Sequence, residues 1–264
     1  MHIAGQRVLL TGAAGGIGQA CARALAEAGA ALILVSRNGD ALESLRTSLT
    51  GDGHRALVAD LATPEGRAAV IAAAQDADGL INNAGVNHFG LFAGQDESQL
   101  RQTLELNLMV PMLLVQGLLP VLQARRGWVL NVGSAFGSIG FPGYAVYSAS
   151  KFGLRGFTEA LRRELAGSGV SLHYLAPRAT ATDMNAGPTA AMNTELGTAV
   201  DEPERVAAEL LALLHSARGV RFVGWPERFF IKLNGLFPSL VEKSLIKQLP
   251  VIRRHALAAR GAGE

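Results

Sequence analysis

Short runs of β-branched and aliphatic residues alternate with longer segments of helical spacing along most of the chain. The runs predict the strands Arg7–Thr11, Ala31–Ser36, Arg55–Ala59, Gly79–Asn82, Trp128–Val132, Val170–Leu175 and Val220–Gly224. The segments between them predict the helices Ile17–Ala28, Asp40–Leu49, Pro64–Ala74, Glu97–Gln123, Tyr144–Leu165 and Pro203–Ser216. Because strands separated by helices pair in parallel through right-handed crossovers, this alternation predicts an α/β fold. The expected architecture is a single doubly wound parallel sheet of about seven strands, with helices on both faces.

A chain of 264 residues has the length of one such domain, which we assign to residues 1–224. Residues 225–264 form a C-terminal extension rich in large apolar residues, and from Arg221 onward the chain has eight lysines or arginines but three acidic residues. The pattern predicts an amphipathic tail of two short helices, separated at Pro238 and ended near Pro250. Three interpretations of the tail stay open: docking on its own fold or on a sister subunit, a lid over an apolar pocket, and a basic anchor at a membrane surface.

Composition excludes several classes of protein. A hydrophobic content of 49% with 17% charged residues excludes a disordered chain. Cys21 is the only cysteine, so the chain cannot form an internal disulfide or a cysteine-based zinc site, and we predict no metal. A net charge of +2 is too small to indicate nucleic-acid binding. The N-terminus has no apolar signal segment, so we expect a cytoplasmic protein, with a membrane-peripheral location as the alternative.

The uncharged segment Leu106–Ala124 is long enough to span a bilayer. It contains polar and proline residues that are costly in lipid: Asn107, Pro111, Gln116, Pro120 and Gln123. We therefore expect this segment to be a buried helix of a soluble core rather than a membrane span.

A glycine-rich turn, residues 11–18, joins the first predicted strand to the first predicted helix. Glycines such as Gly12, Gly16 and Gly18 let backbone N–H groups approach a pyrophosphate. The N-terminus of the helix that follows favours the negative charge of the same group. The turn therefore predicts a dinucleotide-binding site of Rossmann type.

The second predicted strand ends at Ser36 and Arg37, where the adenosine ribose of a dinucleotide would lie. A cofactor with a free 2′-hydroxyl favours Asp or Glu at this place, whereas an arginine can hold a 2′-phosphate through two hydrogen bonds. The sequence therefore predicts NADP(H) in preference to NAD(H). Asp40, a helical turn further on, is the residue that would favour NAD(H) instead.

A phenol and an amine lie four residues apart, at Tyr147 and Lys151, on the predicted helix Tyr144–Leu165. This spacing places both side chains on one face of the helix. A nearby ammonium favours phenolate, so we expect the pKa of Tyr147 to lie below its usual value of about 10, as suits a general acid/base. Ser134 follows the end of the strand Trp128–Val132, at the sheet edge where ligands bind, and it can donate a hydrogen bond to a carbonyl oxygen.

Taken together, these motifs resemble those of the short-chain dehydrogenase/reductase family. The matching positions are Thr11-Gly12-x-x-x-Gly16-Ile17-Gly18, Asp60-Leu61, Asn82-Asn83-Ala84-Gly85, Asn107, Gly133-Ser134, Tyr147-x-x-x-Lys151, and Pro177 with Thr182. The resemblance covers roughly residues 5–224. It implies an oxidoreductase that interconverts a carbonyl and a secondary alcohol, with a nicotinamide cofactor carrying the hydride.

The resemblance also implies a role for each matching residue. Tyr147 would be the general acid/base, Ser134 would polarise the substrate carbonyl, and Lys151 would hold the nicotinamide ribose. Asn107 would hold a water molecule of a proton relay. The implied cofactor-binding residues are Gly12, Gly16, Ile17, Gly18, Ser36, Arg37, Asp60, Leu61, Asn83, Ala84, Gly85, Tyr147, Lys151, Pro177, Thr180 and Thr182.

One residue departs from the family pattern, because Arg178 stands where a glycine usually follows the proline. Either the turn differs, or Arg178 faces the active site or the cofactor phosphates. Residues 178–200 form the variable substrate cover of the family, and Met184 and Met192 within it predict a mobile lid over an apolar substrate. With the tail, this cover predicts a lipophilic substrate such as a fatty acyl derivative or a steroid-like alcohol.

Two other functions compete with the enzyme. The first is a catalytically silent NADP(H)-binding sensor or scaffold, for which loss of Ser134, Tyr147 or Lys151 would be the signature, and all three are present. The second is a membrane-peripheral interaction protein that acts through the tail. We expect a homodimer or a homotetramer, because the helix around Leu106–Ala124 packs against a sister subunit in related proteins.

Overall fold

The computed structural model describes residues 2–216 and 218–261. Its one sheet has seven parallel strands in the order β3-β2-β1-β4-β5-β6-β7, which confirms the predicted doubly wound α/β fold. The strands are β1 (Arg7–Thr11), β2 (Ala31–Ser36), β3 (Arg55–Val58), β4 (Gly79–Asn82), β5 (Trp128–Val132), β6 (Ser171–Ala176) and β7 (Val220–Phe222). The order reverses between β1 and β4, and this is where doubly wound sheets bind their ligands.

Ten α-helices accompany the sheet in the described residues. They are α1 (Gly16–Glu27), α2 (Gly39–Ser48), α3 (Pro64–Ala73), α4 (Glu97–Leu104), α5 (Val110–Arg125), α6 (Ala145–Glu164), α7 (Pro188–Glu195), α8 (Pro203–His215), α9 (Glu227–Leu236) and α10 (Pro238–Gly261). Alternate residues of β1 serve two cores: Val8 and Leu10 pack with α1 and α8, whereas Leu9 packs with α3 and α5. Because a strand presents successive side chains to opposite faces of the sheet, these contacts mean that helices cover both faces.

The predicted helix Glu97–Gln123 is interrupted by a π-helical turn at Glu105–Met109, which separates α4 from α5. No local sequence pattern predicts this turn. In the structure, the turn places the buried Asn107 in hydrogen-bond contact with Val86. The stretch Glu97–Arg125 is the one described helix long and apolar enough to cross a membrane, by length and composition only. One face of α5 packs on the sheet.

The tail docks on its own domain. Pro238 separates α9 from α10 as predicted, but the expected end near Pro250 is wrong, because α10 continues to Gly261. A proline removes one backbone hydrogen bond, and the apolar turn that follows offsets this loss. Ile252 is fully buried in that turn and packs in one cluster with Tyr144 and Met192. Helix α7, which carries Met192, was not predicted.

Candidate active site

A cleft of about 340 Å³ lies at the carboxyl edge of the sheet, above the point where the strand order reverses. All sixteen residues predicted to bind the cofactor line it, from Gly12 and Arg37 at one end to Thr182 at the other. Ser134 lines it as well. The fold therefore brings together in one cleft residues that come from almost every strand end. Within residues 2–216 and 218–261, no group of three or more His, Cys, Asp or Glu side chains is placed to hold a metal ion.

The glycine turn fits a dinucleotide pyrophosphate. Gly12 has a positive φ of 65°, and a Cβ there would lie 2.8 Å from the Ala84 Cα atom, so a larger residue would close the turn. A Cβ on Gly16 would lie 2.7 Å from the Thr182 methyl group. Helix α1 begins after Gly15 without a side-chain cap and has no acidic residue in its first turn. Its N–H groups are therefore directed into the cleft and suit an anion.

Thr11 joins the glycine turn to the loop after β4, a role the sequence did not reveal. Its buried hydroxyl donates to the Ile81 carbonyl at 3.2 Å and accepts from the backbone N–H groups of Asn83 and Ala84 at 3.0 and 3.1 Å. The Asn83 amide in turn donates to the Thr11 and Gly12 carbonyls, both at 3.1 Å. The position of Thr11, a polar residue at the end of an otherwise apolar strand, was the sequence feature that could have indicated this role. These bonds hold both walls of the cleft in register.

The far end of the cleft is formed by Ser36, Arg37 and Asp60. Arg37 is exposed on the rim. The Asp60 carboxylate accepts from the Ala62 N–H group at 2.9 Å, while Thr63 caps α3. Asp40 lies in the first turn of α2 and is not among the residues that line the cleft. An arginine, and no carboxylate from α2, therefore borders this end.

Tyr147 and Lys151 lie one turn apart near the start of α6, and Ser134 faces them from the loop after β5. The Lys151 Nζ atom donates to the Val132 carbonyl at 3.0 Å and lies 5.6 Å from the centre of the Tyr147 ring. The Ser134 Oγ atom accepts from the Phe136 N–H group at 3.1 Å, which fixes its position. The three groups that the sequence singled out thus converge on one spot.

Burial decides the acid–base state of this pair. It raises the pKa of Tyr147 to about 12, although a hydrogen bond with Ser134 acts in the opposite direction. Burial also lowers the pKa of Lys151 to about 8. The predicted lowering of the Tyr147 pKa is therefore wrong for the protein itself. Removing the phenolate from water is the largest effect, and the neighbouring Tyr144 raises the pKa of Tyr147 further.

Asn107 lies behind the cleft rather than on its wall. Its side chain is fully buried, and its Oδ1 atom accepts from the Val86 N–H group at 2.8 Å. Its Nδ2 atom donates to the Val86 carbonyl at 2.9 Å and to the Ser150 hydroxyl at 3.2 Å. The π-helical turn thereby ties the loop after β4 to α6. Asn107 supports the segment that carries Gly85, and its place in a proton relay stays a prediction.

A second cavity of about 370 Å³ meets the cleft at Ser134 and Tyr147, which line both. Aromatic residues of the segment between β5 and α6 form its inner wall: Phe136, Phe141 and Tyr144. Tail residues form its outer wall: Phe230, Leu233, Leu240, Val241 and Leu245. The sequence left a lid over an apolar pocket as one of three interpretations of the tail, because the approach of these residues depends on the whole fold. Arg178 also lines both cavities.

Comparisons with known proteins agree with this geometry. A family model described as short chain dehydrogenase matches residues 6–193. A 3-oxoacyl-(acyl-carrier-protein) reductase FabG of Vibrio cholerae is 34% identical over 236 residues, which cover 88% of this chain and 94% of the relative. A short-chain dehydrogenase from Sphingobium yanoikuyae in complex with NADPH is 27% identical, with a TM-score of 0.77 and coverage of 90% and 95% of the two chains. A 3-ketoacyl-(acyl-carrier-protein) reductase from Brucella melitensis complexed with NADH is 25% identical, with a TM-score of 0.78 and coverage of 85% and 99%.

Proposed function

The chain belongs to the short-chain dehydrogenase/reductase family, and from that premise we propose an NADP(H)-dependent oxidoreductase that interconverts a lipophilic carbonyl compound and its secondary alcohol. One observation carries the proposal. The dinucleotide cleft and an apolar cavity meet at Ser134 and Tyr147, so a hydride donor and a carbonyl can meet at a proton donor.

The side chains at this junction have complementary roles. A nicotinamide cofactor, bound along the glycine turn, would supply or accept the hydride. Ser134 would donate a hydrogen bond to the carbonyl oxygen. Tyr147 is a neutral phenol at neutral pH because its pKa is about 12, so it would donate its proton to the same oxygen during reduction. Lys151 would bind the ribose and orient the cofactor.

The preference for NADP(H) rests on Arg37 at the ribose end of the cleft. Similar proteins bind NADPH in one case and NADH in another, so the family alone does not decide between the two. We would titrate the purified protein with NADPH and with NADH and follow the fluorescence. Arg37→Ala is expected to weaken NADPH binding about tenfold or more and to leave NADH binding nearly unchanged, because a hydrogen-bonded charge pair contributes about 1.5–3 kcal/mol.

Arg23→Ala is the matched control, since Arg23 is exposed on α1 and does not line the cleft. Tighter binding of NADH than of NADPH by the wild-type protein would contradict the preference and direct attention to Asp40. Binding of neither cofactor would contradict the proposed enzyme and the silent cofactor-binding alternative alike, and would favour the membrane-peripheral alternative.

The apolar walls of the second cavity support a lipophilic substrate. The similarity to a 3-oxoacyl-(acyl-carrier-protein) reductase supports a fatty acyl derivative, and a steroid-like alcohol suits the same walls. We would compare NADPH-dependent reduction of acetoacetyl and 3-oxodecanoyl thioesters of N-acetylcysteamine and of a steroid ketone. Larger kcat/KM values are expected for the long-chain or polycyclic substrates. Faster turnover of small polar ketones would refute this substrate class.

We also propose that the protein is cytoplasmic, self-associates as a dimer or tetramer, and contacts membranes through the tail. Leu104, Met109 and Phe152 are exposed apolar residues on or beside the α4–α5 helices and would support the subunit contact. Light scattering of Met109→Asp against wild type tests it, and an unchanged mass would refute this face as the interface.

The membrane contact rests on an exposed surface of α9. Trp225, two residues before α9, is 71% exposed and lies next to the exposed Phe229 of that helix. Helix α9 also carries the exposed cations Arg228 and Lys232. Aromatic and cationic groups together suit an anionic lipid surface. Flotation with phosphatidylglycerol vesicles is expected for wild type and not for Trp225→Ser with Phe229→Ser. Flotation of neither protein, or equal flotation of both, would refute the contact.

A further inference from the structure

Arg178 is the residue at which the sequence departs from the pattern that the family resemblance implies, and its backbone does not require a glycine. Arg126 is the only non-glycine residue with a positive φ in the part of the chain that the structure describes, so Arg178 has an ordinary conformation. The side chain therefore distinguishes this position.

The Arg178 side chain is 8% exposed, and its guanidinium binds acidic partners on two sides. Its Nε and Nη2 atoms donate to the two carboxylate oxygens of Asp201 at 2.9 and 2.7 Å. Its Nη1 atom donates to the Glu227 Oε2 atom and to the Trp225 carbonyl, both at 3.1 Å. A paired, two-pronged contact of this kind requires the planar guanidinium fork, which lysine lacks.

These partners belong to different parts of the fold. Asp201 directly follows the substrate cover, and its backbone pairs with Ala179 and Ala181 at the start of the cover. Glu227 is the first residue of α9. Arg178 therefore closes the base of the cover and joins it to the tail. Within the cover, Glu195 of α7 pairs with His255 of α10 at 2.8 Å.

Helix α9 carries Phe230 and Leu233 in the outer wall of the apolar cavity. We propose that Arg178 is a positioning residue that holds this wall in place and thereby sets the selectivity for long apolar substrates. The inference rests on the proposed function. Asn234 near the end of α9 donates to the Ser138 carbonyl at 3.0 Å and holds that end of the helix. Without the Arg178 contact, the first turn of α9 would move away from the cover, and the cavity would open to water. A long acyl chain would then lose apolar contacts that a short one never makes.

The test compares Arg178→Gly, Arg178→Lys and Arg205→Gln in the full chain. Arg205 donates to the same Asp201 carboxylate at 2.9 Å but is 50% exposed and makes no side-chain hydrogen bond or ion pair with a described residue of α9, so it is the matched control. KM and kcat are measured with NADPH for the 3-oxodecanoyl and acetoacetyl thioesters. Arg178→Gly is expected to raise KM for the long substrate about tenfold or more, with a much smaller rise for the short one. Arg178→Lys should fall between it and wild type, and Arg205→Gln should match wild type.

Glu227→Gln separates the two sides of the contact, because it weakens the link to α9 and leaves the Asp201 pair in place. It is expected to raise KM for the long substrate as well. Equal effects of Arg178→Gly on both substrates would overturn the proposal, since they would point to a general folding defect. A wild-type KM in Glu227→Gln would also overturn it, since the effect of Arg178 would then act through the cover alone.

Limited trypsin digestion gives a result that does not depend on turnover. Arg178→Gly and Glu227→Gln are expected to speed cleavage at Arg228 and Lys232 in α9 about tenfold, whereas Arg205→Gln leaves it unchanged. Unchanged cleavage in all three variants would overturn the positioning role. If wild type reduced neither thioester while these cleavage rates still changed, the substrate proposal would fail and the link between Arg178 and α9 would stand.

Discussion

Tyr147 and Lys151 lie one turn apart in α6, and burial moves their pKa values in opposite directions. The neutral phenol is thereby kept as a proton donor up to about pH 12, while the lysine begins to lose its charge at about pH 8. The tyrosine therefore suits reduction at neutral pH, and the lysine sets the upper pH limit for binding that depends on its charge.

The buried lysine predicts a pH-dependent stability. Its pKa is lowered from 10.5 to about 8, so above pH 8 the unfolded chain binds a proton at this site that the folded chain has released. The free energy of unfolding therefore rises with pH between these two values. Relative to Lys151→Met, wild type is expected to gain about 2 kcal/mol between pH 7 and about pH 9.5, measured by urea unfolding of both proteins.

Wild type and Lys151→Met share every other titrating group, so the contributions of those groups cancel in the difference between the two free energies of unfolding. Lys243→Met is the control, because Lys243 is exposed on α10. A stability difference between wild type and Lys151→Met that does not change with pH would show that the amine is not desolvated.

At the scale of elements, the π-helical turn between α4 and α5 places Asn107 against the loop after β4. The sequence predicts a continuous helix here, since its apolar spacing runs through residues 97–123 without a break. The turn is stabilised by a contact with a loop 21 residues earlier in the chain, and local helical spacing does not encode such a contact.

Asn107→Ala leaves the Val86 N–H and C=O groups without these partners. Because each unpaired polar group in the interior costs about 1–3 kcal/mol, the free energy of unfolding is expected to fall by about 2–4 kcal/mol, measured by urea unfolding. Gln116→Ala, at an exposed position of α5, is expected to change it by less than about 0.5 kcal/mol. A similarly small change for Asn107→Ala would mean that the turn forms without this contact.

At the scale of the whole molecule, the tail packs on the domain through a small apolar cluster. Ile252 of α10 is fully buried and packs with Met192 of the cover and Tyr144 of the substrate cavity. The division into residues 1–224 and 225–264 rests on the sequence pattern. Whether the two parts unfold in one transition can be measured.

Ile252→Ala is expected to lower the free energy of unfolding by about 2–4 kcal/mol within a single transition, because it removes buried methyl groups and leaves a cavity. Calorimetry and near-ultraviolet circular dichroism should report the same midpoint. Leu257→Ala, at a position 62% exposed on the same helix, is the control and is expected to change stability little. Two transitions, with the larger one unaffected by Ile252→Ala, would show a tail that unfolds by itself.

The sequence by itself determined the succession of strands and helices along the chain, the glycine turn and the Tyr147–Lys151 pair. These features depend on spacing within a few residues, where backbone geometry alone relates pattern to structure. Only the tertiary structure decided the pairing of Arg178 with Glu227, which lie 49 residues apart, and the tail wall of the apolar cavity. It also decided the raised pKa of Tyr147, because desolvation depends on everything that surrounds a group and not on its neighbours in the chain.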